Sequence, residues 1–190
     1  MITLSLNILD IVQNSIRAKA DEISIEVNES AQTDIFRITI TDNGSGIPSE
    51  MLGKVTDPFV TSRTKRRMGL GLPLLKYHSE ITGGSLKIDS EETKGTKVTA
   101  LFSFSHIDRQ PLGDIVGILK ILIAANPDIS FIYSHVTDKG EFRFSSEETK
   151  QYLEVETLNE RGLIDDIGCM IGENLKEIDV SGCIFKEMRQ

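Results

Sequence analysis

The sequence predicts an α+β protein: a two-layer α/β sandwich over residues 1–105, followed by a small acidic α+β unit over 106–190. Three observations carry that reading. Apolar residues recur at helical spacing near the N-terminus, two stretches of strict alternation follow, and a second helix with two further strands comes after a glycine-containing loop. Helix, two strands, loop, helix, two strands is the pattern of helices packed on a largely antiparallel sheet.

Each element has its own signal. Leu4, Ile8, Ile11, Val12 and Ile16 form one stripe of a helix. Ile23, Ile25 and Val27 alternate with polar residues, as do Phe36, Ile38 and Ile40, so both stretches read as strands joined by the polar turn 28–34. Asp42–Pro48 is a glycine-containing loop, and a short helical patch follows it. Residues 57–68 show little periodicity and many cations. Leu70–Ile81 reads as a helix that Gly83-Gly84 stops. Leu86–Asp89 and Lys97–Phe104 read as strands around the Lys94-Gly95 turn. Beyond the linker 106–111, Leu112–Ala125 reads as a helix ending before Asn126-Pro127. Ile129–Val136 and Glu141–Phe144 flank Asp138-Lys139-Gly140 as a hairpin. Ser145–Glu148 looks like a helix start, and Gly162–Ile178 gives a last helical pattern. Leu112–Ala125 is apolar on more than one stripe, so it must bury against more than one surface: the hairpin 129–144 can cover one side, and the other is available to the first unit or to a second copy of the chain.

Composition removes several function classes. At 39% hydrophobic and 26% charged, the chain has the make-up of a soluble globular protein. No run approaches the ~18 consecutive apolar residues of a membrane span, and Met1–Asp10 lacks the marks of a signal peptide, so no membrane association is expected. Cys169 and Cys183 form no CxxC and read as reduced thiols of a cytoplasmic protein. The net charge of −8 is uneven: residues 1–106 hold 12 Lys/Arg against 13 Asp/Glu, and 107–190 hold 9 against 16. An acidic C-terminal part argues against nucleic acid as a partner, because phosphate contacts need cations.

Four stretches can carry chemistry. Asp10, Asn14 and Arg17 fall on one face of the first helix, opposite its apolar stripe. A carboxylate, a carboxamide and a guanidinium in line can activate a water, complete a Mg²⁺ shell and meet a phosphate, although such a face can also be merely solvated. Asp42-Asn43-Gly44-Ser45-Gly46-Ile47-Pro48 leaves a strand end: its aspartate can accept a hydrogen bond from an exocyclic amine, and its glycines let backbone approach a ligand. Met68-Gly69-Leu70-Gly71-Leu72 opens a helix, where free N–H groups and the helix dipole favour anions. The basic run Arg63, Lys65, Arg66 and Arg67 lies just upstream and could fold over a triphosphate as a lid. Gly95-Thr96 enters a strand with a hydroxyl that could bond the aspartate or a base.

In this order and spacing, Asp10–Asn14, Asp42–Pro48, Asp57–Thr61, Gly69–Leu72 and Gly95-Thr96 resemble the boxes of the GHKL ATPase superfamily of gyrase, Hsp90, histidine kinases and mismatch-repair proteins. Asp57–Thr61, Gly69–Leu75 and Gly83–Ser85 look most like the catalytic ATP-binding domain of bacterial sensor histidine kinases. The resemblance implies the Bergerat fold, a mixed sheet with helices on one face. It implies that Asn14 ligates Mg²⁺, that Asp42 bonds the adenine amine with support from Thr96, and that Gly44, Gly46 and Ile47 shape the adenine pocket. Gly69, Gly71 and Leu72 would cradle the phosphates of ATP, and Lys65 and Arg17 would neutralise them. Asp10 stands where the gyrase and mismatch-repair branches carry the glutamate that serves as general base. It is one methylene shorter.

The resemblance leaves three functions open. One is a stand-alone protein kinase that transfers the γ-phosphoryl of Mg·ATP to a Ser or His of a partner protein, as anti-sigma-factor kinases do. The helical hairpin bearing a sensor kinase's phosphoacceptor histidine is expected to be absent, and His78, His106 and His135 read as surface or packing residues. The second is a nucleotide-gated regulatory module with little catalysis. The third is an ATP-driven clamp, disfavoured by the missing transducer domain. A regulatory or substrate protein is the expected partner, and a homodimer is possible.

Overall fold

The computed structural model describes residues 3–57 and 71–184. In chain order the elements are α1 (Leu4–Arg17), β1 (Glu22–Ser30), β2 (Ile35–Asp42), α2 (Ser49–Leu52), α3 (Gly71–Ile81), β3 (Ser85–Glu91) and β4 (Gly95–Ser103). They are followed by α4 (Ile115–Ala125), β5 (Ser130–Thr137), β6 (Gly140–Ser145), α5 (Ser146–Leu153) and α6 (Arg161–Glu177). The strands form one mixed six-stranded sheet in the order β3-β4-β2-β1-β5-β6. All neighbours are antiparallel except β1 and β5, which run parallel.

Strand periodicity decides which face is covered. Ile23, Ile25, Val27, Phe36, Ile38, Ile40, Val98, Ala100, Phe102, Phe131 and Tyr133 all point to the helices and are buried. The opposite face carries Glu26, Asn28, Arg37, Thr39, Lys97, Thr99 and Ser134, which line a shallow polar hollow of about 360 Å³. The protein is thus a two-layer α+β sandwich with its helices on one side of the sheet.

The sequence suggested a second unit beginning near residue 106. In the structure that boundary does not divide the sheet or the core. β5 pairs with β1 over seven positions, from Glu22↔Ser130 to Asn28↔Val136, and β6 extends the same sheet. The physical reasons are two. Without β5, the outer edge of β1 would present unpaired backbone groups. The broadly apolar α4 buries Ile115, Leu119, Leu122 and Ile123, and it packs against both α6 and α1. Its two apolar surfaces are thereby covered within one chain. Its N-terminus lies three residues later than the sequence suggested, because Gly113 has φ +82 and Asp114 caps the helix by accepting from the Gly117 N–H at 2.8 Å.

Backbone ties join the two halves at the start of α1. The Leu4 and Ser5 N–H groups donate to the Pro111 and Leu112 carbonyls at 3.0 and 2.8 Å. That same loop is held by the segment after α6, since the Gly113 N–H donates to Gly182 O and the Ile184 N–H to Gly113 O.

A buried polar chain crosses the β1–β5 junction. The Tyr133 hydroxyl lies 2.7 Å from His135 Nδ1, and His135 Nε2 lies 3.2 Å from Glu29 Oε1. Glu29 also accepts from the Ser181 N–H and Oγ–H. His135, read from sequence as a surface or packing residue, is a fully buried packing residue, and its polar atoms are satisfied as burial demands.

Candidate functional site

The site is assembled where α1, the loop after β2, and the β3–β4 turn meet. Asp42 ends β2 on the covered face and is only 8% exposed. Both its oxygens are engaged: Oδ2 accepts from Ser15 Oγ at 2.6 Å, and Oδ1 accepts from the Gly44 N–H at 3.0 Å. Each oxygen keeps a second acceptor direction, so the carboxylate is held in place yet can still accept a hydrogen bond from an amine N–H.

The loop after Asp42 is pinned from three sides. Asn43 Oδ1 accepts from the Asp21 and Glu22 N–H groups, both at 3.1 Å, and fixes the loop to the start of β1. The Ser45 N–H donates to Ala18 O at 2.9 Å, and the Thr93 N–H donates to Ser45 O at 2.8 Å. The Ile47 N–H donates to Ser90 Oγ at 2.8 Å. Gly46 sits at φ +67, and a Cβ there would overlap the Glu91 carbonyl. Gly95, at φ +101, lies so close to Asp42 that a Cβ would overlap the aspartate's own carbonyl. A side chain at either position would push the loop off Asp42.

Thr96 is opposite Asp42 in the β2–β4 ladder. Its hydroxyl does not support the aspartate. It lies 2.9 Å from Ser90 Oγ, its cross-strand neighbour on β3, and Ser15 supplies the hydrogen bond to Asp42 instead.

Asp10, Asn14 and Arg17 share one face of α1, as their spacing requires. Asn14 and Arg17 are exposed and touch: Arg17 Nη2 donates to Asn14 Oδ1 at 2.7 Å. Asp10 lies a turn away, with its carboxylate against the first residue of α3, where a Cβ on Gly71 would overlap Oδ2. Leu72 follows on the same helix and is half-buried. Lys65, Gly69 and the whole basic run Arg63–Arg67 lie outside the described residues, as does most of Asp57–Thr61.

Sequence reasoning missed Ser15, Asn43 and Ser90, the three side chains that hold the loop. It also missed a polar cluster one turn from Asp10, where Asn7 Nδ2 donates to Gln110 Oε1 at 3.1 Å and Gln110 Nε2 lies 3.4 Å from His78 Nε2. Burial pushes the His78 pKa below its usual 6.5. Ser15, next to Asn14 and on the buried side of α1, was the one readable signal.

Comparison with known proteins decides the family. A family described as "Histidine kinase-, DNA gyrase B-, and HSP90-like ATPase" matches residues 2–106, more than half of the chain. The chain belongs to that family. Its histidine kinase-like ATPase domain is 31% identical over 115 residues to a putative sensor histidine kinase NtrY-like of Rickettsia bellii, covering 60% of this chain and 18% of that protein. It is 37% identical over 92 residues to sporulation kinase D of Bacillus subtilis, covering 48% of this chain and 18% of the kinase. The chain thus spans less than a fifth of the length of these curated relatives. Among solved structures, the Aquifex aeolicus MutL ATPase domain complexed with ADP matches with a TM-score of 0.47 and 16% identity, over 82% of this chain and 70% of that one.

Proposed function

We propose that this histidine kinase-like ATPase domain binds Mg·ATP and donates its γ-phosphoryl to a partner protein. The observation that carries the reading is the fixed, nearly buried Asp42, held by Ser15 and Gly44 beneath a loop whose glycines admit no side chain. An acceptor fixed in that way, beside backbone that can approach closely, suits the amine edge of adenine.

The residues fit both groups. Asn14 offers an exposed amide oxygen of the hard kind Mg²⁺ takes, and one such ligand suffices for an ion that keeps water and phosphate oxygens. Arg17 already lies against that amide and would turn its charge to a phosphate. Lys65 and Gly69 are assigned to the phosphates by their place in the sequence, Gly71 and Leu72 by their place at the start of α3. Bound Mg·ATP supplies the phosphoryl group, while these residues orient it and spread its charge. No helix among the described residues is long and apolar enough to cross a membrane, and a cytoplasmic setting suits this chemistry.

A second reading has its own support. Asp10 packs against the backbone of Gly71, so its carboxylate couples α1 to α3. That contact favours a nucleotide-gated regulatory module in which ATP shifts α3 with little turnover.

Labelled Mg·ATP separates the two when incubated with the chain alone and with lysate of the source organism. Label on a second protein supports the kinase, and free phosphate alone supports a weak ATPase. Nucleotide at a hundred times its Kd should add about 2.7 kcal/mol of stability. Unchanged melting in saturating Mg·ATP would remove the proposal altogether.

A further inference from the structure

Away from the nucleotide loop, α5, α6 and β6 enclose a groove of about 510 Å³. Its floor is Phe144 and Ile167, both nearly buried, and its walls carry Leu153, Leu163 and Met170. Tyr152 stands at its mouth and is 86% exposed, while Leu153 and Met170 are 40% and 37% exposed. An amphipathic helix in solution normally turns its large apolar residues inward. Apolar side chains left in water around a concave floor mark a contact surface.

Charge selects the occupant. The groove's two helices, α5 and α6, carry six carboxylates and three cations, and the segment 154–160 between them adds three carboxylates. Glu148 on the rim is neutralised by Arg143 at 2.8 Å, whereas Asp166, also on the rim, has no ion pair among the described residues. A second copy of the chain would set one acidic rim against another in a twofold contact, which like charges oppose. A basic partner meets no such penalty.

We propose that this groove docks an amphipathic helix of a partner protein, apolar on one face and flanked by Lys or Arg. The apolar face would cover Tyr152, Leu153 and Met170, and the flanking cations would meet Asp166 and the acidic surface of α5 and α6. This is helix-in-groove recognition, with shape supplied by the floor and specificity by the rim. The proposal does not depend on nucleotide chemistry, because no residue of the α1–β2–α3 site takes part.

The test uses the full chain without nucleotide and two labelled synthetic helices of about 16 residues, long enough to form several turns. Both share one leucine face, and their polar faces are all Lys or all Glu. Fluorescence anisotropy should show the Lys helix binding at least roughly tenfold more tightly than the Glu helix. Tyr152→Ser and Met170→Ser leave the charge unchanged and should each weaken the Lys helix severalfold, and Asp166→Asn should weaken it while leaving the Glu helix unaffected or improved. Because Tyr152 is exposed, its variant should fold normally, which circular dichroism checks. Equal affinity for both helices would overturn the proposal. So would affinity untouched by both serine variants, since binding would then be diffuse charge attraction. Sedimentation supplies the last arm: a dimer that Tyr152→Ser dissolves would give the groove to a second copy and overturn it too.

Discussion

Asp42 and Glu29 are two nearly buried carboxylates with different tasks. Asp42 faces the candidate adenine site, and its geometry depends on Ser15. Ser15→Ala should therefore cost about 1–3 kcal/mol in urea denaturation, because it leaves a buried acceptor short of a partner. It should also weaken nucleotide binding. Asp42→Asn replaces one acceptor oxygen by a donor, and should weaken adenine nucleotides more than it lowers stability; calorimetric titration beside a denaturation curve separates the two. Glu29 serves the fold. Burial pushes its carboxyl up, but hydrogen bonds from His135 and Ser181 outweigh that and hold it below the ordinary 4.5. A depressed folded-state pKa adds stability that is complete above the unfolded value and is lost as pH falls through the folded one. The wild type should thus lose melting temperature more steeply than Glu29→Gln as pH drops below about 4.5. Parallel curves would assign the acid sensitivity to other carboxylates.

Among the elements, the tight approach of the β3–β4 turn to the end of β2 leaves no room for a side chain. Gly95→Ala forces a side chain into the Asp42 carbonyl at a positive φ, and should destabilise by more than about 1 kcal/mol while lowering nucleotide affinity. Gly53→Ala, where an added Cβ meets nothing, should stay within about 0.5 kcal/mol of the wild type and serves as control. Paired thermal melts and nucleotide titrations check both. The same elements show what could be read from sequence. Alternation placed β1 and β2 within a few residues, and the strand-then-glycine order put Asp42 at a strand end, because both signals are local. Ser15 could be read only as a polar residue on the apolar side of α1, and Asn43 and Ser90 were not legible: their roles come from elements meeting across dozens of residues, and nothing near them in sequence distinguishes them from solvated polar side chains. The apolar girth of α4 did announce two burial surfaces. It could not say that both lay within the same chain, on α1 and α6.

At the scale of the whole molecule, one sheet runs through both halves, and truncation tests whether either half is independent. A fragment ending near Ser105 loses the β5 ladder along β1 and the cover of α4 on α1. It should melt well below the full chain or self-associate, with weakened nucleotide binding. A fragment that stays monomeric and binds ATP as the full chain does would instead make residues 106–190 a separate module. The parallel β1–β5 pair also has a consequence in time. Glu22 finds its partner Ser130 only after more than one hundred further residues have been made, a delay of roughly 5–20 s at ordinary rates of synthesis. Through that interval the outer edge of β1 in the nascent chain has no strand beside it, and a neighbouring nascent chain on the same message can pair there first. Soluble yield should therefore depend on how fast the message is translated between codons 30 and 130, rather than on the stability of the finished protein.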